Sequence, residues 1–410
     1  MLRGADIVCV SSLDWGATWG TMHQVMHRLA RYNRVIYIEE PVTMLAPLKV
    51  PAHWRRWGAV LPRLKHVEPG LWVLRPPPLL PFANMRPAVN RVNQAVLACY
   101  VRWAMERLDF RDHTILWTFL PNSVHLLDRL TVPSLLVYHC VDEHSAFPGL
   151  RSPEVVTGYD DLLTARADLV IATADSLAYT RRFLNAHTQT VLNAADVESF
   201  SQALDPALPV PAHMAHIPPP RLVVLGALDG RLDLDALELL ADSDSFWQIV
   251  LIGPVKSAEV QARLGSRANV HMLGEKPRDQ LPGYLKAASV ALIPYVPGRL
   301  TRGIFPLKFF EYLAAGVPVV VGGLPELRRF SDTVGVANTS GDYPALVRLA
   351  LAEEGVERRL ARAAMAAGNS WDDRVEAISA LVEEALARKA SVRTGNVGSE
   401  LAARAPVKPF

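Results

Sequence analysis

The sequence predicts an α/β protein of two Rossmann-like domains facing across a cleft, and three observations carry that expectation. β-branched and apolar runs of strand length alternate with amphipathic runs of helix length, the pattern of βαβ units in parallel sheets. The alternation occurs twice, on either side of a proline-rich stretch at residues 205–220. Half of the 410 residues are hydrophobic, enough for two sizeable cores.

In the first series, residues 5–11 read as a strand, followed by a helix that presents Met22, Val25, Met26 and Leu29 on one side. Strands follow at residues 34–39, 114–118, 134–138 and 169–172, giving a first domain over residues 1–202. Prolines make residues 203–220 read as a linker. The second series, residues 221–370, has strands at 221–226, 248–253, 270–273, 290–294 and 318–321. Ser370-Trp-Asp-Asp-Arg-Val opens a last amphipathic helix over 371–389. Residues 390–410 are small, polar or charged without apolar periodicity, so a mobile tail is expected there.

A net charge of +2 and the absence of an RNA-binding aromatic motif argue against a nucleic-acid partner. Cys9, Cys99 and Cys140 are few and widely spaced, as in a protein whose thiols stay reduced. Asp6 stands where a signal peptide needs an apolar core, so a cytoplasmic protein is expected. Residues 49–65 combine Lys49, Arg55, Arg56, Arg63 and Lys65 with Trp54 and Trp57. They read either as a surface for anionic membrane headgroups, which would make the protein peripheral to the inner face of the membrane, or as a loop packing its tryptophans inward.

Residues 302–322 are the most informative stretch. Pro306 suits a first helical turn, Gly316 a helix C-terminal cap, and Pro318 opens a buried strand. Amide groups at that helix start, with Arg302 and Lys308, favour a diphosphate. Lys308 and Glu311 share a helix face, where a carboxylate can accept from ribose hydroxyls and a lysine can neutralise phosphate. An ordinary surface ion pair is the alternative, but the apolar surroundings Phe309, Phe310, Tyr312 and Leu313 predict burial, and a buried charge needs a partner.

Pro306-Leu-Lys-Phe-Phe-Glu-Tyr-Leu-Ala-Ala-Gly-Val-Pro-Val-Val resembles the donor-site segment of GT-B glycosyltransferases, the family 4-like enzymes of polysaccharide and cell-envelope assembly. The resemblance implies the GT-B fold, a nucleotide-diphosphate sugar as donor, a glycan or lipid-linked acceptor, retention of anomeric configuration, and no metal or other cofactor. It gives Glu311 the ribose. The first of the family's two glutamates, which touches the transferred sugar, falls at Gly303. Arg231, in the first strand-to-helix turn of the second domain, matches one of the two cations that relatives place at the diphosphate. His271-Met-Leu-Gly-Glu275 resembles the segment whose backbone, here at Met272 and Leu273, binds the nucleotide base, with Gly253 closing a neighbouring strand. Asn193-Ala-Ala-Asp196 resembles a structural interdomain turn.

On the first domain, Asp14-Trp15-Gly16 and Trp19-Gly20 resemble an acceptor-side loop, with a tryptophan placed to stack on a sugar or to cover the core edge. Val137-Tyr-His-Cys-Val-Asp-Glu-His144 gathers polar groups at a strand end. His139 matches the histidine that many relatives hold beside the reacting sugar, although a lone histidine is also often a core residue. Asp142 and Glu143 are candidate bases, and with His139 they form the expected catalytic set. Asp233 and Asp235 read as helix-cap residues rather than metal ligands, and His23 and His27 lack a third ligand. Two rival readings stand beside transfer. One is a nucleotide-sugar epimerase of GT-B fold; the other is a non-catalytic, glycosyltransferase-like scaffold, suggested by Gly303 and the incomplete cation pair.

Overall fold

Strands whose residues are buried on both faces read as continuous apolar runs, and such strands build both sheets of the protein. The structure is a computed structural model that describes residues 1–49, 62–110, 114–130, 134–352 and 355–403. It divides into two compact units. The first comprises Met1–Thr173, Leu177–Val191 and the chain from Val375 onward, and the second comprises Leu192–Arg374 with Ala174–Ser176.

In the first unit the strands are β1 (Asp6–Val10), β2 (Arg34–Ile38), β3 (Arg63–Glu68), β4 (Leu71–Arg75), β5 (Ile115–Thr118), β6 (Leu135–Cys140), β7 (Leu169–Ala172) and β8 (Thr188–Thr190). They lie in the order β3-β4-β2-β1-β5-β6-β7-β8, and every pairing is parallel except β3 with β4. The hairpin β3–β4 does not appear in the sequence reading. Arg63 and Lys65, assigned to a cation-rich surface, are exposed residues of the edge strand β3, where charge discourages pairing with another chain. Residues 50–61 of that surface lie outside the described residues.

The second sheet contains β9 (Arg221–Leu225), β10 (Gln248–Ile252), β11 (Val270–Gly274), β12 (Val290–Pro294), β13 (Val319–Gly322) and β14 (Gly335–Ala337). Their order is β11-β10-β9-β12-β13-β14, all parallel. The order reverses at β9, so the carboxyl ends of β9, β10 and β12 surround a topological switch point, where open α/β sheets bind ligands.

Two boundaries differ from expectation. The second unit begins at Leu192 rather than beyond residue 202, and the proline-rich stretch is packed rather than a free linker. Met214 and Ile217 are buried in the second core, and Lys286 Nζ donates to the carbonyls of Asp205, Pro206 and Leu208. Proline removes amide donors but leaves its apolar neighbours free to pack. The last helix, Trp371–Ala403, buries Val375, Ile378, Val382 and Ala385 as one stripe, and Arg388 and Lys389 bond Asp168 within the first unit. It continues past Lys389 into the expected tail. Residues 390–403 have no apolar stripe to signal a helix, but a nucleated helix extends on main-chain hydrogen bonds alone. Residues 404–410 lie outside the described residues. No helix among the described residues is long and apolar enough to cross a membrane.

Candidate functional site

The switch point of the second sheet is stripped of side chains. Gly226, directly after β9, has φ +112°, and Gly253, directly after β10, has φ +149°, both in the region that favours glycine. A Cβ on Gly253 would stand 1.9 Å from the Gly226 carbonyl oxygen, so the two strand ends meet backbone to backbone. Gly226 N donates to Ile252 O at 2.9 Å and Gly253 N to Gly274 O at 3.0 Å, which fixes the turn against β10 and β11.

Two cations flank this bare turn. Lys308, on the helix Leu307–Ala314, reaches across to donate to Leu225 O at 2.5 Å, and its ammonium would be 3.0 Å from a Cβ at Gly226. Arg231 follows in the loop, its Nη2 2.7 Å from Asp229 Oδ2. The lysine ammonium lies 5.1 Å and the guanidinium 5.5 Å from the Tyr295 ring centroid, so one buried ring carries both cations. Burial pushes the Tyr295 phenol up, but Lys308 and Arg231 outweigh it and hold the phenol below its ordinary value. Burial likewise raises the Asp229 carboxyl, and the bonds from Arg231 more than offset this. Lys308 and Arg231, a helix residue and a loop residue 77 positions apart, are therefore brought to one ring.

Glu311 is buried on the same helix as Lys308. Its partner is a residue the sequence reading missed: Arg278 Nη2 donates to Glu311 Oε1 at 3.0 Å. Burial raises the Glu311 carboxyl above its ordinary value, against the opposing pull of Arg278 and Lys308. The buried charge thus has a protein partner and does not by itself demand a ligand. Arg302 is exposed and lines a pocket of about 120 Å³ with Gly298, Gly322, Gly323, Arg328 and Asn338, a lining that includes neither Lys308 nor Gly226. Gly303 is buried and ends the short helix Arg299–Arg302, with its N–H donating to Leu300 O at 3.1 Å. His271 bonds Gln248 Oε1 at 2.8 Å, and Met272 and Leu273 are half-buried beside it on β11. Asp233 caps the helix Leu234–Ser243 through Ala236 N at 2.9 Å, and Asp235 pairs with Arg263, as the cap reading expects. Asn193 Nδ2 donates to Phe305 O at 2.7 Å, in keeping with a structural turn.

In the first unit His139 is buried, Glu143 is paired with Arg181 and Asp142 is half-buried. His139 lies within β6, 1% exposed, with its ring 4.9 Å from Phe119 and 6.0 Å from Trp117. Burial alone lowers its pKa to about 3, so it is neutral and cannot act as an acid near pH 7. Glu143 accepts from Ser145 Oγ at 2.6 Å and from Arg181 Nη1 at 3.3 Å. Burial pushes its carboxyl up, but Arg181 and Ser145 bring it below the ordinary value, which makes it a poor base. Arg181 also pairs with Asp160, which accepts from Tyr138 Oη at 2.6 Å. This buried network was not legible, because its members lie on four separate elements. Asp142 is half-buried. The polar run after β6 thus signals an internal ion network as much as a reactive surface.

In the loop after β1, Trp15 packs on Tyr37 at 5.0 Å and on Trp19 at 5.6 Å, and both tryptophans are half-buried. Gly16 is exposed at the loop tip. His23 accepts from Gly20 N at 3.1 Å and bonds the Asp14 carbonyl at 2.9 Å, so both ring nitrogens serve the loop. His27 pairs with Glu68. The aromatic cluster holds the loop in shape and leaves both tryptophans partly exposed.

Two predictions arise here. His139→Ala is expected to lower stability by about 1–3 kcal/mol, as for other buried truncations. Denaturant unfolding alongside an activity assay checks this, and an unchanged melting point with lost turnover would return His139 to the sugar. His23, His139 and His144 have pKa values lowered by burial from 6.5 to about 4, 3 and 4. The unfolded chain then binds protons that the fold excludes. Stability is therefore expected to fall as pH drops below 6.5, by up to roughly 1.4 kcal/mol per pH unit for each histidine. Urea midpoints that stay flat between pH 6.5 and 4.5 would contradict this.

With this geometry, the architecture is that of the GT-B glycosyltransferases, and residues 219–351 match the family described as Glycosyl transferases group 1. Among curated proteins, the chain is similar to the putative teichuronic acid biosynthesis glycosyltransferase TuaH of Bacillus subtilis (strain 168), at 26% identity over 253 residues. That match covers 57% of this chain and 61% of TuaH, so the similarity spans about three fifths of the relative's length. Among solved structures, sucrose-phosphate synthase from Thermosynechococcus elongatus superposes with a TM-score of 0.69 at 17% identity, covering 94% of this chain and all of that one. An E. coli trehalose-6-phosphate structure bound with UDP-2-fluoro glucose gives 0.64 at 13% identity, covering 92% and 99%. At such identities the likeness defines the fold.

Proposed function

We propose that the protein transfers a sugar from a nucleoside-diphosphate sugar to a glycan or lipid-linked acceptor. The observation that carries this reading is the convergence of Lys308 and Arg231 on the bare Gly226–Gly253 turn at the switch point of the second sheet. Departure of a nucleoside diphosphate develops negative charge, and two fixed cations beside glycine backbone stabilise that charge without reorganisation. Because protein cations supply this charge, the reaction is proposed to need no metal. Glu311, one helical turn from Lys308, takes the nucleotide ribose. The UDP-2-fluoro glucose bound to a protein of the same fold supports a uridine nucleotide as the first donor to test. The similarity to TuaH supports an envelope polysaccharide or its lipid-linked precursor as acceptor. Retention of anomeric configuration, activity on the cytoplasmic side and contact with an anionic membrane surface belong to the same proposal.

The test is incubation with UDP-, GDP- and ADP-sugars, with and without glycolipid and oligosaccharide acceptors, with and without chelator, read by mass spectrometry. Release of nucleoside diphosphate with a glycosylated product, unaffected by chelator, is expected. A sugar altered without acceptor would make the protein an epimerase. Donor bound without turnover across the acceptor panel would make it a binding protein.

A further inference from the structure

Arg278 is the feature of the second unit that neither the sequence pattern nor the resemblance explains. It begins the short turn Arg278–Gln280 after β11, and its side chain is only 30% exposed. The guanidinium lies 5.5 Å from the Phe200 ring centroid, which fixes its plane from one side. Its Nη2 stands 3.0 Å from Glu311 Oε1 and 3.8 Å from Asp196 Oδ2. Asp196 is anchored in turn, its Oδ1 accepting from Ser199 N at 3.4 Å as a helix cap. The helix Val197–Ser201, through Phe200 and its cap Asp196, thus holds one arginine against one buried carboxylate of the helix Leu307–Ala314. Among the described residues the hydrogen bond to Glu311 uses Oε1, which leaves Oε2 with its acceptor capacity.

We propose that Arg278 is a positioning residue for nucleotide binding: it keeps Glu311 ionised and oriented so that Oε2 receives a ribose hydroxyl of the donor. This rests on the donor-site reading of Glu311. A carboxylic acid accepts less well than a carboxylate and places a proton where the ribose must donate. Burial pushes Glu311 toward that protonated form, and Arg278, at hydrogen-bond distance, is the strongest force against it. Asp196 works in the opposite direction, and Lys308 adds a weaker pull toward ionisation. Nucleotide affinity is therefore lost as pH falls through the Glu311 pKa, and without the guanidinium that loss moves to higher pH.

The experiment measures binding of UDP, with GDP and ADP in parallel, by calorimetry from pH 5 to 8.5. The proteins are the wild type, Arg278→Gln, Arg278→Lys, Glu311→Gln and the double variant Arg278→Gln/Glu311→Gln, each checked by thermal melting. Arg278→Gln is expected to bind the preferred nucleotide about tenfold more weakly at pH 7.5, with its acid-side loss of affinity shifted upward. Arg278→Lys keeps the charge and is expected to restore most of the pH profile. Glu311→Gln is expected to remove the pH dependence, and the double variant to bind no worse than Glu311→Gln, because both changes act on one carboxylate. A wild-type pH profile in Arg278→Gln, or additive losses in the double variant, would overturn the proposal while leaving the donor site standing. If Arg278→Gln does not fold, Arg278→Lys decides the same point: an acid-side loss of affinity that begins at higher pH than in the wild type supports the proposal, and one that is unchanged or begins at lower pH overturns it. A wild-type protein that binds none of the three nucleotides would overturn the donor-site reading, and this proposal with it.

Discussion

Lys308→Ala is expected to lower turnover on the order of a hundredfold or more while changing acceptor binding little. The lysine ammonium is held at 2.5 Å from the Leu225 carbonyl and beside the Tyr295 ring, so it is placed before any ligand arrives. Interactions that strengthen as the diphosphate leaves act on the transition state more than on the bound substrate, which is why the loss falls on the rate. Arg231 remains in the variant but is shared with Asp229, and it replaces the lost charge only in part. Single-turnover transfer at saturating donor checks the expectation. Normal turnover in a folded variant would make Lys308 a structural residue that only ties its helix to β9.

Arg181→Ala is expected to cost the first unit about 3–5 kcal/mol, the loss typical of removing one member of a buried ion network. The side chain is 4% exposed and faces both Asp160 and Glu143, so truncation leaves the buried Asp160 and the half-buried Glu143 without their cation. Urea denaturation measures the change. A loss below about 1 kcal/mol would mean that water reaches those carboxylates and that the network is not a structural unit. Arg181→Lys separates charge from geometry, since an ammonium cannot span both partners as a fork does.

The strands of both sheets were legible where both faces are buried, as in Asp6–Val10 and Val290–Pro294, because burial leaves a continuous apolar run. The hairpin β3–β4 was not, because the exposed edge strand Arg63–Glu68 mixes charge with apolar residues and resembles a polar loop. Lys308, Glu311 and Arg231 stood out through helix-face spacing and resemblance. The grouping of Lys308 and Arg231 around Tyr295 did not, since contacts between the loop after β9, the end of β12 and the helix Leu307–Ala314 are long-range. Arg278 gave no local signal, because its partner lies 33 residues away. His139 shows the opposite limit. The chemistry of the residue suggested a site, whereas the structure buries it within β6 beside Trp117 and Phe119, a placement no strand-end pattern announces. Sequence supplies residue types at strand ends but not the direction in which each side chain is spent.

Thermal melting across a panel of nucleoside diphosphates and their sugars tests the donor site of the second unit most directly, because a ligand that binds only the folded form stabilises it by mass action. At a concentration of about 100 times its dissociation constant, the preferred nucleotide should add roughly 2.7 kcal/mol and raise the melting temperature by several degrees. Lys308→Ala and Glu311→Ala should each diminish that rise. A flat response of the wild-type protein to every nucleotide in the panel would contradict the account.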